Sequence, residues 1–75
     1  MDQTSVAVGE SVGQAIAEAE LSLREVAALS GVPFTTLHRK VNGQGKTGFL
    51  LSELLSVAEV LNLRLSQLLP AEIEL

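Results

Sequence analysis

The chain has 75 residues, of which 47% are hydrophobic, with two aromatic residues, no cysteine, one histidine and a formal net charge of −4. This length allows one small domain with an aliphatic core and is too short for a sheet-based nucleotide-binding fold. The absence of cysteine excludes disulfides and thiolate metal sites, and a single histidine argues against a zinc site built from protein ligands alone. No apolar run approaches the ~18 residues of a membrane span, and no secretory signal is recognisable, which favours a cytoplasmic protein.

Charge is unevenly distributed along the sequence. Residues 1–21 hold four carboxylates and no basic side chain, residues 22–46 hold four basic side chains and one carboxylate, and residues 47–75 hold one basic side chain and four carboxylates. The basic residues of the middle third are Arg24, Arg39, Lys40 and Lys46. This asymmetry is more informative about an anionic partner than the net charge is.

The first predicted helix covers about 6–20. Its apolar residues recur at helical spacing between polar ones, at Val12, Ile16 and Ala19. Glycine lowers helix propensity, so Gly9 and Gly13 weaken the early part and the helix is expected chiefly from Ser11 onward. Residues 1–5 are expected to be frayed.

The second predicted helix opens with a capping box, in which Ser22 is the N-cap and Glu25 follows three residues later. Its apolar side is supplied by Val26, Ala27 and Leu29. It is expected to end near Ser30-Gly31, because glycine readily adopts the left-handed conformation that terminates helices.

The third predicted helix spans 34–41, and Pro33 stands where it can open the first turn. Leu37 and Val41, at i and i+4, are expected in the core, and Asn42-Gly43 ends the helix. Helices two and three are joined by about three residues that include a glycine, which is a helix-turn-helix arrangement over about 22–43.

The fourth predicted helix covers 49–61 and ends at Asn62, a residue that tolerates the left-handed conformation. Its apolar stripe is Leu51, Leu54, Leu55, Ala58 and Leu61. One or two further turns over about 65–69 precede a tail, 70–75, whose last five residues form a short strand or a solvated end. The sequence therefore predicts an all-α fold, a compact bundle of about five short helices in a single domain.

The segment SLREVAALSGVPFTTLHRKVNGQ resembles the helix-turn-helix of the lambda repressor and Cro (XRE-type) family of phage and bacterial DNA-binding proteins. The matching residues are Ser22, Val26, Ala27, Gly31, Val32, Leu37, Asn42 and Gly43. The segment LLSVAEVLNLRLSQLL resembles the fourth and fifth helices of the family, so the resemblance covers roughly 11–69. It implies a lambda repressor-like domain of a sequence-specific transcriptional regulator that binds double-stranded DNA in the major groove.

Four positions depart from the family pattern. Leu23 replaces a glutamine that binds a DNA phosphate, and Asn62 replaces a glycine at the end of the fourth helix. Arg64 replaces the serine that caps the fifth helix, so this helix is expected to be shorter or shifted. Gln44, and not a basic residue, follows Asn-Gly.

The resemblance assigns base contacts to the third helix. Phe34 and Thr35 occupy the first two base-reading positions and Arg39 the third. Arg39 can form a bidentate bond to guanine, and Thr35 can bond a base or a phosphate. Phe34 either contacts a thymine methyl group or packs on the core.

The expected contacts to the DNA backbone lie around this helix. They are assigned to Ser22, Thr36, His38, Lys40, Asn42, Gln44 and Lys46. His38 and Lys40 have the alternative of facing solvent. Arg24 either contacts a phosphate or forms an ordinary surface pair with Glu25.

Gly45-Lys46-Thr47 has the same three residues as the end of a nucleotide-binding P-loop. That motif needs glycine five positions before Gly45, where Lys40 stands, and a preceding strand, where a helix is predicted. The loop is therefore expected to contact DNA phosphate or simply to connect two helices. No nucleotide, cofactor or metal is expected, and no catalytic constellation is recognisable, so an enzyme is not predicted.

About four basic residues near the third helix would make a monomer bind DNA weakly. We therefore expect a homodimer on a palindromic operator with half-sites about 34 Å apart. The expected dimer surface comprises Leu50, Val60, Leu63, Ile73 and Leu75. Two alternatives stay open: a protein-interaction module that kept the fold, favoured by the net charge and Leu23, or the DNA-binding part of a larger repressor or antitoxin system.

Overall fold

Helices account for most of the computed structural model, which describes residues 3–44 and 48–70. Within these ranges five helices and no strand are present, which confirms the predicted all-α class. The helices are α1 (Gln3–Glu18), α2 (Leu23–Ser30), α3 (Phe34–Val41), α4 (Leu51–Leu61) and α5 (Leu65–Leu68). Predictions for the tail 71–75 and for Gly45, Lys46 and Thr47 lie outside the described residues. No helix in the described part is both long and apolar enough to cross a membrane.

The core is aliphatic and receives side chains from all five helices. Its buried members are Val8, Val12, Ile16, Val26, Ala27, Val32, Leu37, Leu54, Val57, Ala58 and Leu68. α1 packs on α3 and α5, while α2 packs on α3 and α4. The pair α2 and α3 is thus supported on one side by α4 and on the other by α1.

The apolar stripe predicted for α4 is displaced around the helix. Leu54 and Ala58 are buried together with Val57, which the stripe omitted, whereas Leu51 and Leu55 are 61% and 50% exposed. The apolar residues of α4 cover more of the helix surface than α2 and α5 bury. Its Leu51–Leu55 edge therefore stays in solvent.

Two further residues predicted to be apolar contacts are exposed. Leu29, at the end of α2, is 68% exposed, and Ala19 follows the end of α1. α4 begins at Leu51 and not at residue 49, and Phe49, which precedes it, packs against the core. α5 is one residue shorter than predicted and has Arg64 as its N-cap, with Arg64 N donating to Gln67 Oε1 at 2.8 Å.

The helix ends follow the local sequence. The backbone N–H of Glu25 donates to Ser22 Oγ at 3.1 Å, and that of Ser22 donates to Glu25 Oε1 at 3.0 Å, so the capping box is formed. Gly31 has φ 82° and donates its N–H to Ala27 O at 3.0 Å. Asn62 has φ 57° and ends α4 as predicted.

α1 begins three residues before the predicted start at residue 6 and ends two residues before the predicted end at residue 20, and both glycines lie within it. Residues 3–5, expected to be frayed, belong to the helix. A Cβ at Gly9 would overlap the carbonyl oxygen of Lys40, and a Cβ at Gly13 would lie 2.8 Å from Val41 Cγ1. The two glycines therefore allow α1 to approach the last turn of α3 more closely than any other residue would. Each glycine lowers the helix propensity of α1 at its own position. Together they allow a contact between α1 and α3, which are distant in the sequence.

Candidate nucleic-acid interface

α3 has an outer face of polar side chains and an inner face in the core. The exposed residues of this outer face are Thr35, His38, Arg39 and, just after the helix, Asn42. On the opposite side Leu37 is fully buried and Lys40 is 7% exposed. At 3.6 residues per turn, positions 35, 38, 39 and 42 fall on one side of the helix. Two of the three predicted base-contact residues thus share one exposed surface.

The turn between α2 and α3 is tied to both helices and sets where this face lies. Val32 is buried in the core, and its N–H donates to Ser30 Oγ at 3.2 Å. Pro33 is the residue before α3, and its carbonyl accepts from Leu37 N at 2.9 Å. The buried Val32 side chain and these hydrogen bonds hold α3 at a defined position relative to α2.

At the N-terminal end of α3, the Phe34 ring contacts two other planar groups. Arg24 Cζ lies 4.1 Å from the centroid of the Phe34 ring, within the range of a cation–π contact. The rings of Phe34 and His38 have centroids 5.7 Å apart at an angle of 39°. Phe34 is half-buried and packs against the core, which is the second of the two roles considered for it. A thymine contact by Phe34 stays a prediction.

At the C-terminal end of α3, Lys40 points inward. Its Nζ lies 2.7 Å from Glu53 Oε1, and the same oxygen accepts the backbone N–H of Leu50 at 2.8 Å. The expectation that Lys40 contacts a phosphate or faces solvent is therefore wrong. Lys40 follows Leu37 by three residues, so it lies on the inner side of the helix, where a carboxylate of α4 compensates its charge.

The remaining residues assigned to the DNA backbone lie around this face. Thr36 is half-buried, and Ser22 is exposed, with its hydroxyl engaged in the cap of α2. Asn42 is exposed and its Nδ2 donates to His38 O at 2.8 Å. Gln44 is exposed and its N–H donates to Arg39 O at 2.8 Å, so the chain is held to α3 as it leaves the helix. Lys46 lies outside the described residues.

Arg24 was not predicted to contact Phe34. It was expected to contact a phosphate, which stays a prediction, or to pair with Glu25. The Glu25 carboxylate accepts the N–H of Ser22, and Arg24 lies over Phe34. Ten positions separate Arg24 from Phe34, so no local pattern indicates the contact. The only signal available was an arginine in the first turn of α2, read together with an aromatic residue at the start of α3.

The arrangement can present hydrogen-bond donors to an anionic or polar surface. Two exposed guanidinium groups are available, Arg39 on the outer face and Arg24 over Phe34 at the start of α3, while the charges of Lys40 and Glu53 compensate each other. The major groove of B-DNA is about 12 Å wide and admits an α-helix. Comparisons of the chain with protein-family models, with curated proteins and with solved structures gave no match.

Proposed function

We propose that the protein is a sequence-specific DNA-binding transcriptional regulator, similar to Cro and the repressors, that reads the major groove with α3. The observation that carries this proposal is the outer face of α3. Thr35, His38 and Arg39 are exposed together there, and the buried turn at Val32 holds the helix against α2. In a helix-turn-helix the second helix of the pair enters the groove and its side chains contact base edges.

Arg39 and Thr35 carry the base reading in this proposal. Their spacing of four residues places them one turn apart on the exposed side of α3. Arg39 donates two hydrogen bonds to O6 and N7 of a guanine, which is worth about 1–3 kcal/mol of discrimination against another base. Thr35 bonds a base or a neighbouring phosphate. Phe34 is half-buried at the start of α3, and its contact with a thymine methyl group stays a prediction.

The backbone contacts come from the surroundings of α3. They are assigned to Ser22, Thr36, His38, Asn42, Gln44 and Lys46. Because Lys40 is paired with Glu53, three arginines and lysines of the middle third are left for the DNA. We expect log K to fall with log salt at a slope of no more than about −3 per subunit, at −0.9 for each neutralised phosphate.

Because only three basic side chains of the middle third are left for the DNA, a monomer would bind weakly. Binding as a homodimer on a palindromic operator is therefore favoured. The apolar residues that could bury against a second copy lie at the start of α4 and the end of α2, at Leu29, Leu50, Leu51 and Leu55, all at least half exposed. Val60 and Leu63, expected earlier at this surface, are half-buried and pack against the core. Ile73 and Leu75 lie outside the described residues. Sedimentation of the purified chain, alone and on DNA, tests the stoichiometry.

The function is tested by selecting bound duplexes from a random DNA library and sequencing them. A palindrome with half-sites about 34 Å apart supports a dimeric sequence reader. Arg39→Ala should then lose the preference for one G·C pair in each half-site. A matched control is Arg64→Ala, an exposed arginine before α5, which should select the wild-type site.

Three outcomes contradict the proposal or narrow it. An enriched single half-site indicates a monomer or the DNA-binding part of a larger repressor or antitoxin system. Unchanged site preference in Arg39→Ala removes the base-reading role of that residue. If the wild-type chain enriches no duplex even at low salt, DNA reading is wrong, and the exposed leucines of α4 favour the protein-interaction module instead.

A further inference from the structure

We propose that Arg24 is a second guanine-reading residue and that Phe34 is the positioning residue that holds it. This inference rests on the proposed function, because it concerns the same contact with DNA. Arg24 belongs to α2, and the first helix of a helix-turn-helix crosses the DNA backbone while the second reads bases. The contact with Phe34 extends the reading surface from α3 onto α2.

The Phe34 ring provides a fixed platform for the guanidinium. Phe34 packs against the core from the first position of α3, and its ring also contacts that of His38 at a centroid distance of 5.7 Å. Arg24 Cζ lies 4.1 Å from the ring centroid while Arg24 itself remains exposed. The Phe34 ring is thus held on one side by the core, and the Arg24 guanidinium on its other side is accessible from solvent.

Arg24 is also free of a competing carboxylate in the described part of the chain, where the one ion pair is between Lys40 and Glu53. Its sequence neighbour Glu25 accepts the N–H of Ser22 in the capping box. The N–H donors of the Arg24 guanidinium therefore remain available for a partner outside the protein.

The position of the guanidinium over the Phe34 ring favours base reading over a diffuse phosphate contact. A guanidinium is planar and presents its donors as a rigid fork, so an aromatic surface below it restricts its tilt and leaves the N–H edge free. That edge matches O6 and N7 of guanine in the major groove. A lysine at the same position would keep the charge but would lose both the fork and the stacking.

Arg24 contacts the first residue of α3, whereas Arg39 lies in the second half of that helix. Arg24 lies over Phe34, the first residue of α3, and Arg39 follows Phe34 by five residues, which corresponds to about 7.5 Å of helix rise. We therefore expect each half-site to contain two G·C pairs, one read by Arg24 and one by Arg39.

The experiment is duplex selection with the wild-type chain, Arg24→Ala, Arg24→Lys, Phe34→Leu and Phe34→Tyr, followed by affinities for duplexes with each G·C pair replaced. Arg24→Ala should lose about 5- to 150-fold discrimination at one G·C pair, the equivalent of one bidentate contact, and keep the pair read by Arg39. Arg24→Lys should show the same loss although its charge is kept. Phe34→Leu should weaken the same preference, and Phe34→Tyr, which keeps the ring, should preserve it.

The outcomes separate the Arg24 inference from the proposed function. If Arg24→Ala weakens binding equally on every duplex, and Arg24→Lys restores it with the wild-type salt slope, Arg24 contacts a phosphate and the inference is wrong. If Arg24→Ala selects the unchanged wild-type site, the inference is wrong while the proposed function stands. If the wild-type chain selects no site, both are wrong. Thermal unfolding of each variant, with binding measured well below the transition, shows that the compared chains are folded.

Discussion

The two ends of α3 are each held by a contact between a basic residue and a neighbouring element, but the two contacts are of opposite kinds. Near the N-terminal end Arg24 lies over Phe34 in solvent, and near the C-terminal end Lys40 is buried against Glu53. An exposed cation–π contact contributes about 0.5–1 kcal/mol, whereas breaking a buried ion pair costs about 3–5 kcal/mol. The C-terminal end thus fixes the helix in the fold, and the N-terminal end remains available for a ligand.

Glu53→Ala should have the largest effect on stability, a loss of about 3–5 kcal/mol in the free energy of unfolding, because it leaves the Lys40 ammonium buried without a partner. Urea unfolding followed by circular dichroism measures the loss. Glu59→Ala removes an exposed carboxylate from the same helix and should change stability by less than about 0.5 kcal/mol. The double variant Lys40→Met/Glu53→Leu should recover most of the stability, because an apolar pair carries no charge to desolvate.

Equal stabilities of Glu53→Ala and Glu59→Ala would contradict the difference between the two ends of α3. It would mean that the Lys40 ammonium reaches water when Glu53 is removed. If the double variant is no more stable than Glu53→Ala, the lost stability comes from the hydrogen bond that the Leu50 N–H donates to Glu53 and not from the ion pair.

Gly9→Ala should have the next effect, a loss of about 1–3 kcal/mol, because the added methyl group overlaps the carbonyl of Lys40 and forces α1 away from α3. Gly13→Ala is its matched control within α1, since the atom it meets is a side-chain methyl of Val41 that can move. The gain in helix propensity, about 1 kcal/mol, is the same at both positions. Thermal unfolding should therefore rank Gly13→Ala above Gly9→Ala, and the reverse order would be inconsistent with close packing at Gly9.

Ser22→Ala should cost about 1 kcal/mol, because the N–H of Glu25 loses its acceptor at the start of α2. Ser66→Ala, at an exposed serine of α5, serves as the control. Urea midpoints of the two variants give the difference. Equal midpoints would mean that water replaces the cap at no cost.

Arg24→Ala should have the smallest effect on stability, at most about 1 kcal/mol, because the contact it removes is exposed. Arg39→Ala removes an exposed arginine from the outer face of α3, and it should change stability by less than about 0.5 kcal/mol. Both are measured by urea unfolding without DNA. A loss in Arg24→Ala as large as that in Glu53→Ala would show that the two ends of α3 contribute equally to the fold.

Local signals in the sequence were sufficient for most element boundaries. Ser22 with Glu25, Gly31 and Asn62 predicted the ends of α2 and α4, because caps depend on residues within one turn. The all-α class followed from the same signals. The family resemblance placed Phe34, Thr35 and Arg39 at base-reading positions of the third helix, and of these Thr35 and Arg39 are exposed whereas Phe34 is half-buried.

The features that the sequence did not predict depend on contacts between distant residues. Gly9 was interpreted as a weakness of α1, but its role depends on Lys40, in another helix. Lys40 was assigned to solvent or phosphate because its partner, Glu53, lies in a helix beyond the loop. The contact of Arg24 with Phe34 crosses the turn in the same way. Each becomes visible only when the helices are placed beside one another.

The burial of Lys40 gives the chain an internal chemical reporter. The sequence contains two lysines, and the amine of Lys40 is enclosed in an ion pair and 7% exposed. An acylating reagent needs room around the amine, so it should modify Lys40 mainly in molecules that have opened between α3 and α4. The labelling rate at Lys40, resolved by peptide mass, therefore measures how often this opening occurs. A ligand that binds α3 in its folded position should slow the labelling in proportion to its occupancy.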